Sequence, residues 1–397
     1  MASLAVSAAS LPPSTWVALA ALPSAGHLPI FALAVNPTND AVVIAGNGQG
    51  GIYRSLDGGM KWTSVHSGKS GIMTISYSSF NPSLVLAGTR SAGALVSTDG
   101  GTHWVVATGL DGRSVRVFGF ALSLVVAGTD HGVYTSADGR AWTPSGLATT
   151  SIDALAVTAV NPPVRIVAGG DSAASTSGVP LYQSLDGGAT WAPMKAAVSG
   201  TIVTRLAAGP LPLNGQVRPL VMGTNSGLFI SSDGGANFTA LSGGLLLQST
   251  DYTQVAFTAT HFDRFYAASD GGGGGSGGLW STADSGVHFS SLQPPLLSVT
   301  ALAASGDELP ILYVATFRPV DHAPMLWAYH DTGGTPQGPA GDFTPPASGA
   351  RTDAPAAQGF DLGRLIFSSE APYIALGIAA VVVIVIAVVS HFRSRRG

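Results

Sequence analysis

Apolar residues along most of this chain fall in short runs separated by Gly, Pro, Asn, Asp and Ser, the pattern of strands joined by turns. The run LAVNPTNDAVVIAGNGQGGIYRSLDGGMKW, ending at Trp62, has three apolar stretches, and a fourth follows its final aromatic. Four such stretches with turns between them predict a four-stranded antiparallel sheet. The first turn is often Asn-Pro, at Asn36, Asn81 and Asn161, where proline fixes φ and asparagine can bond its own backbone. The second follows an Ala-Gly or Met-Gly pair, as in GTRSAG, GTDHG and GTNSG.

The third turn is an internal repeat. Its residues are Ser55, Asp57, Gly59 and Trp62; Ser97, Asp99, Gly101 and Trp104; Ser136, Asp138 and Trp142; Ser184, Asp186, Gly188 and Trp191; Ser231, Asp233, Gly235 and Phe238; and Thr282, Asp284, Gly286 and Phe289. Successive aspartates lie 39 to 51 residues apart, the period of a propeller blade. A seventh unit, VTALAASGDELPILYVATFRPVDHAPMLWAY, has three strand-like stretches and no such turn. Its fourth strand is expected from the N-terminal segment, residues 14–22, whose Trp16 matches the aromatics that end the turns. Pairing the chain ends closes the ring and removes an exposed sheet edge. The predicted fold is all-β, a seven-bladed β-propeller within a range of six to eight blades, over residues 1–331.

In S-x-D-x-G-x-x-[WF], the Ser and Asp side chains can satisfy backbone groups freed by the turn, glycine takes positive φ, and the aromatic packs over it. Asp138 and Trp142 are one residue closer than the other pairs, so that turn should be one residue shorter. This pattern resembles the Asp-box (BNR-type) propeller superfamily, which includes sialidases, certain xyloglucan-cleaving glycosidases, sortilin-type receptors and the photosystem II assembly-factor propeller. The resemblance covers about residues 14–330. It implies that the boxes are structural turns on the rim away from the ligand face, with no calcium or catalytic role.

Composition narrows the function. Charged residues make up 10% of the chain against about 25% in ordinary domains, and the 18 Lys plus Arg are spread thinly, leaving no basic stripe for nucleic acid. There is no cysteine, so disulfides, thiol nucleophiles and thiolate metal sites are excluded. His131, His288 and His322 stand singly, and neither a metal nor a cofactor is expected. A sialidase resembling the family would need an arginine cluster and a tyrosine activated by a glutamate. The two glutamates are Glu308, on the face opposite the Gly-rich loops, and Glu370, in a linker. The Phe/Tyr-Arg-Ile-Pro motif is also missing, and Phe317-Arg318-Pro319 comes late in the chain. An inverting glycosidase needs two carboxyl groups about 6.5–9.5 Å apart, for which Asp130, Asp171, Asp270 and Asp321 are the candidates. The xyloglucan-cleaving relatives use two propellers around a cleft, and one repeat array is present here. The leading expectation is a non-catalytic binding or scaffolding module for a protein or glycan partner. Its partner face would carry Arg90, Asp130, His131, Asp171, Asn225, Asp270, Arg318, Asp321 and His322 on second-to-third-strand loops. Arg116 and Arg205 fall in innermost strands, where they would line the central channel and meet an anionic group, or else pair with nearby carbonyls or aspartates.

Blade periodicity stops near residue 331. Residues 332–370 are rich in Pro, Gly and Ala and read as a tether. Residues 371–390, APYIALGIAAVVVIVIAVVS, are uncharged and as a helix would reach about 30 Å, enough to cross a bilayer. The tail, residues 391–397, carries Arg393, Arg395 and Arg396, which the positive-inside rule keeps in the cytoplasm, placing the propeller outside. Residues 1–25 lack the basic start and unbroken apolar core of a signal peptide, which favours the alternative, a tail-anchored protein with a cytoplasmic propeller.

Overall fold

Seven four-stranded antiparallel sheets make up the protein, as described by a computed structural model for residues 11–337 except 25, 172–177, 197, 212–217, 245, 247–249 and 273–276. From the innermost strand outward, blade 1 is Ala32–Asn36, Asn39–Gly46, Gly51–Ser55 and Thr63–Ser67. Blade 2 is Ile72–Tyr77, Val85–Thr89, Ala94–Ser97 and Val105–Val106; blade 3 is Val115–Phe120, Val125–Thr129, Gly132–Ser136 and Thr143–Gly146. Blade 4 is Ser151–Ala159, Arg165–Asp171, Leu181–Ser184 and Ala192–Pro193; blade 5 is Val203–Ala208, Leu220–Thr224, Gly227–Ser231 and Thr239–Leu241. Blade 6 is Gln254–Phe257, Phe265–Ser269, Gly278–Thr282 and Ser290–Ser291. Blade 7 takes Val299–Ala304, Ile311–Arg318 and Ala323–His330 from the end of the array and Trp16–Ala18 from its start.

The core lies between blades. Second strands such as Val85–Thr89 are buried along their whole length, because both faces of a blade pack against neighbours. Among the described residues there are seven apolar clusters, one for each blade-to-blade interface: Leu86 of blade 2, for example, packs with Phe118, Ala127 and Tyr134 of blade 3. Outermost strands are short and largely exposed, so they contribute edges rather than core.

The box turns share one geometry. Ser55 Oγ donates to Asp57 Oδ1 at 2.8 Å and accepts from Gly59 N at 2.8 Å, and Asp57 Oδ1 also accepts from Lys61 N at 2.9 Å. The same three bonds recur at Ser97, Ser184, Ser231 and Thr282. In the shorter turn, Ser136 Oγ accepts from Gly139 N and Asp138 Oδ1 from Arg140 N, each bond spanning fewer residues.

Closure is made by Trp16–Ala18, which pairs antiparallel with the third strand of blade 7 in the register Trp16 to Tyr329, Val17 to Ala328 and Ala18 to Trp327. Trp16 is fully buried, donates through Nε1 to Leu292 O at 2.8 Å, and lies 4.8 Å from the Tyr329 ring. Ser14 N donates to His330 O, Ser14 Oγ pairs with Thr332 Oγ1, and Gln337 N donates back to Ser14 O. Among the described residues no helix is long and apolar enough to cross a membrane; the expected span at 371–390 and its flanks lie outside them.

Candidate functional site

Strand alternation puts the second-to-third-strand loops on the same face as the entries into the innermost strands, with the boxes on the opposite face. Four of these loops are tied to the entry of their own blade: Arg90 N donates to Gly71 O, Asp130 N to Ser114 O, Asn225 N to Ile202 O and Phe317 N to Ser298 O. Buried hydroxyls ending the second strands hold the loops from beneath. Thr89 Oγ1 donates to Gly93 O and Thr129 Oγ1 to Gly132 O, each at 2.9 Å. Sequence reasoning noted the Gly-Thr pairs as loop starts without assigning this role. Blade 1 uses Asn47 instead, buried, donating to Ser24 O and accepting from Gly51 N. It too was missed.

The expected partner-face residues do lie on these loops, but as separate small groups. Asp130 Oδ1 accepts from Ser114 N at 3.0 Å and its Oδ2 lies 3.0 Å from His131 Nδ1. Arg318 grips Asp321 with two bonds, Nε to Oδ1 at 2.8 Å and Nη2 to Oδ2 at 2.5 Å, and this hydrogen bonding holds the Asp321 carboxyl below its usual range. His322, held at positive φ, sets its ring against Phe317. Asn225 Oδ1 accepts from Thr201 N, and Asp270 Oδ1 from Gly272 N in its own turn. Arg90 and Asp171 are exposed.

The two innermost-strand arginines have different fates: Arg116 takes the second expected course and pairs with an aspartate. Five innermost strands carry a bulge near their start: the pairing skips between Ile72 and Thr74, Val115 and Val117, Ile152 and Ala154, Val203 and Arg205, and Val299 and Ala301. A bulge re-aims its extra side chain, and here the bulged residue reaches the next blade. Thr204 Oγ1 donates to Tyr252 O and Thr300 Oγ1 to Ile30 O, both at 2.7 Å. Arg116, in the same position, bonds Ser151 Oγ at 2.7 Å and ion-pairs with Asp153 of blade 4. Burial pushes the Asp153 carboxyl up, Arg116 pulls it down, and the charge of Asp171 adds to the rise. Asp153 was missed, although SIDALAV sets a charge at the innermost-strand position that SVRVFGF fills with Arg116. Arg205 sits one residue past the bulge, opposite Gly223, and lines the channel.

On the other face, Arg218 donates to Gly209 O and Val157 O, joining blades 4 and 5, and burial lowers its pKa to about 10. Glu308 lies on that face beside His261, at 3.2 Å. Among the described residues no group of three or more His, Asp or Glu is arranged to hold a metal.

Several solved structures are similar to this chain. An ancestral GH74 enzyme superposes with a TM-score of 0.50 at 16% identity, over 75% of this chain and 54% of its own. YCF48 bound to D1 peptide gives 0.54 at 18% identity, over 81% and 96%. The WD40 beta propeller domain of Doa1 gives 0.60 at 11% identity, over 80% and 98%. The chain thus spans about half the length of the GH74 enzyme. At such identities the likeness establishes the propeller fold alone, and the fold is shared by an enzyme and by a peptide-bound protein. Neither a family model nor a curated protein matches the chain.

Proposed function

We propose that this protein is a non-catalytic propeller of the Asp-box type that binds a protein or glycan partner on its loop face. The observation carrying this reading is that three of the four candidate carboxylates there are already engaged, Asp171 being the exposed exception. Asp130 is held by Ser114 N and His131, Asp321 by Arg318, Asp153 by Arg116, and Asp270 by its own turn. A two-carboxylate hydrolase needs one group free to donate a proton and another free to activate water. Small, separately braced polar groups on a rigid rim instead suit a surface that matches a partner by shape and hydrogen bonding. The peptide-bound state of YCF48 supports the binding part of this assignment by analogy.

The proposal includes anchorage through residues 371–390, with Arg393, Arg395 and Arg396 in the cytoplasm and the propeller outside. Protease added to intact cells, or spheroplasts if a wall intervenes, is then expected to cut within 333–359 and release the propeller. Protection until the membrane is opened would establish the tail-anchored alternative.

The binding reading is tested by capturing the detergent-solubilised full chain with its partner. A stoichiometric complex is expected that Arg90→Glu with His131→Glu disrupts and Glu308→Lys, on the opposite face, leaves intact. Polysaccharide hydrolysis that falls on Asp130→Asn would overturn it in favour of a glycosidase.

A further inference from the structure

The seven innermost strands surround a cavity of about 110 Å³ to which every blade contributes. Most of its lining residues are apolar, but the surface they present to the cavity is predominantly polar; Thr74, Ser76 and Gln254 bring polar side chains and Arg205 is the one charged residue. Arg205 Nε is buried without a hydrogen-bond partner, and among the described residues no carboxylate forms an ion pair with this side chain. Asp153, in the preceding blade, is taken by Arg116 across the blade 3 to blade 4 interface. Burial lowers the Arg205 pKa, yet a guanidinium stays protonated at any working pH, so it cannot relieve its burial by losing the proton. The residue as a whole is half-buried, with Nε its fully buried and unpartnered atom, and a charge so placed persists in a fold when something compensates it.

We propose that the channel is a binding site for one small monovalent anion, a halide or a short carboxylate, held against Arg205. The hydroxyls of Thr74 and Ser76 in blade 2 and the amide of Gln254 in blade 6 supply further donors. Gln254 already commits Nε2 to Thr300 O at 3.3 Å, which fixes its amide in the wall. Size sets the ligand class: 110 Å³ admits an ion and a few waters, whereas pockets for sugar- or drug-sized ligands run from about 300 Å³ upward. Contact with so many blades makes the anion a keystone that binds the closed ring and not the opened chain.

The full chain in detergent is melted in sodium chloride and in sodium acetate, each against sodium gluconate at constant ionic strength. Gluconate is too large for the cavity. A saturable rise of about 2–4 °C is expected with the small anions, and Arg205→Met is expected to abolish it while removing the uncompensated charge. If that variant fails to fold, bromide diffracted near its absorption edge in crystals of the unaltered protein is expected at Arg205 in the channel. Equal anion dependence in Arg205→Met, or bromide confined to the outer surface, would overturn the site.

Discussion

In the longer box turns the aspartate accepts a main-chain hydrogen bond from the residue four positions on, and hydrogen bonds to the carboxylate lower the pKa of three of these aspartates. Asp233 and Asp284 are held at about 2 chiefly by the backbone N–H of Asn237 and His288, and Asp186 at about 2 chiefly by the Thr190 hydroxyl. Their folded values lie below the 3.8 of an unperturbed aspartate. The carboxylates therefore add stability that is present above about pH 4–5 and lost as pH falls through about 2. All three are solvent-exposed, which keeps each contribution small. A variant carrying Asp186→Asn, Asp233→Asn and Asp284→Asn is expected to melt below the parent at about pH 6, with the gap closing as pH approaches about 2. A gap independent of pH would show that the turns do not use the charge. These turns were legible in the sequence because every participant falls within eight consecutive positions. The Arg116 ion pair was not, since Asp153 lies 37 residues away on another blade and a bulge decides which way Arg116 points.

At the scale of the strand, the bulge also explains the glycines that end the second strands. The next blade enters directly against them. A Cβ at Gly88 would sit 2.4 Å from Val115 O, and one at Gly223 would sit 2.2 Å from Tyr252 O. Both contacts are with backbone of the following blade, so no rotamer change relieves them. Gly88→Ala and Gly223→Ala are each expected to destabilise by about 1–3 kcal/mol in chemical denaturation, by pushing neighbouring blades apart. Unchanged midpoints would mean that the interface yields without loss. The Ala-Gly pairs were visible in the sequence as turn signals, but their second role, close approach between blades, depends on neighbours about 30 residues downstream that periodicity alone does not register.

On the scale of the whole ring, the blade count and the closing strand were legible because both follow from a period and from one missing turn. The channel was legible as the place of Arg205 in an innermost strand, but its size and its other lining residues were not, because a cavity lined by all seven blades has no local sequence signature. Stability here is shared among seven interfaces, and the interface of blade 7 depends on a strand of three residues. Deleting residues 1–20 removes Trp16, exposes the edge of Ala323–His330, and is expected to yield a protein that aggregates and is cut readily by protease. Trp16→Ala in the intact chain is expected to cost about 3–5 kcal/mol by thermal or denaturant melting. A truncated protein that melts like its parent would show that three blade-7 strands suffice.

The clasp between Ser14 and Thr332 joins residues 318 positions apart, and this separation imposes an order of events during synthesis. At about 5–20 residues per second, the strand bearing Trp16 emerges roughly 15–60 s before the segment it must pair with. For that interval the growing chain holds stacked blades with an open face at each end and an unmatched tryptophan. Nascent chains arrested near residue 290 should therefore be protease-sensitive and bind chaperones, and extension past residue 337 should convert them abruptly to a resistant form. The latch makes biogenesis all-or-none: the first strand translated is among the last to find its place.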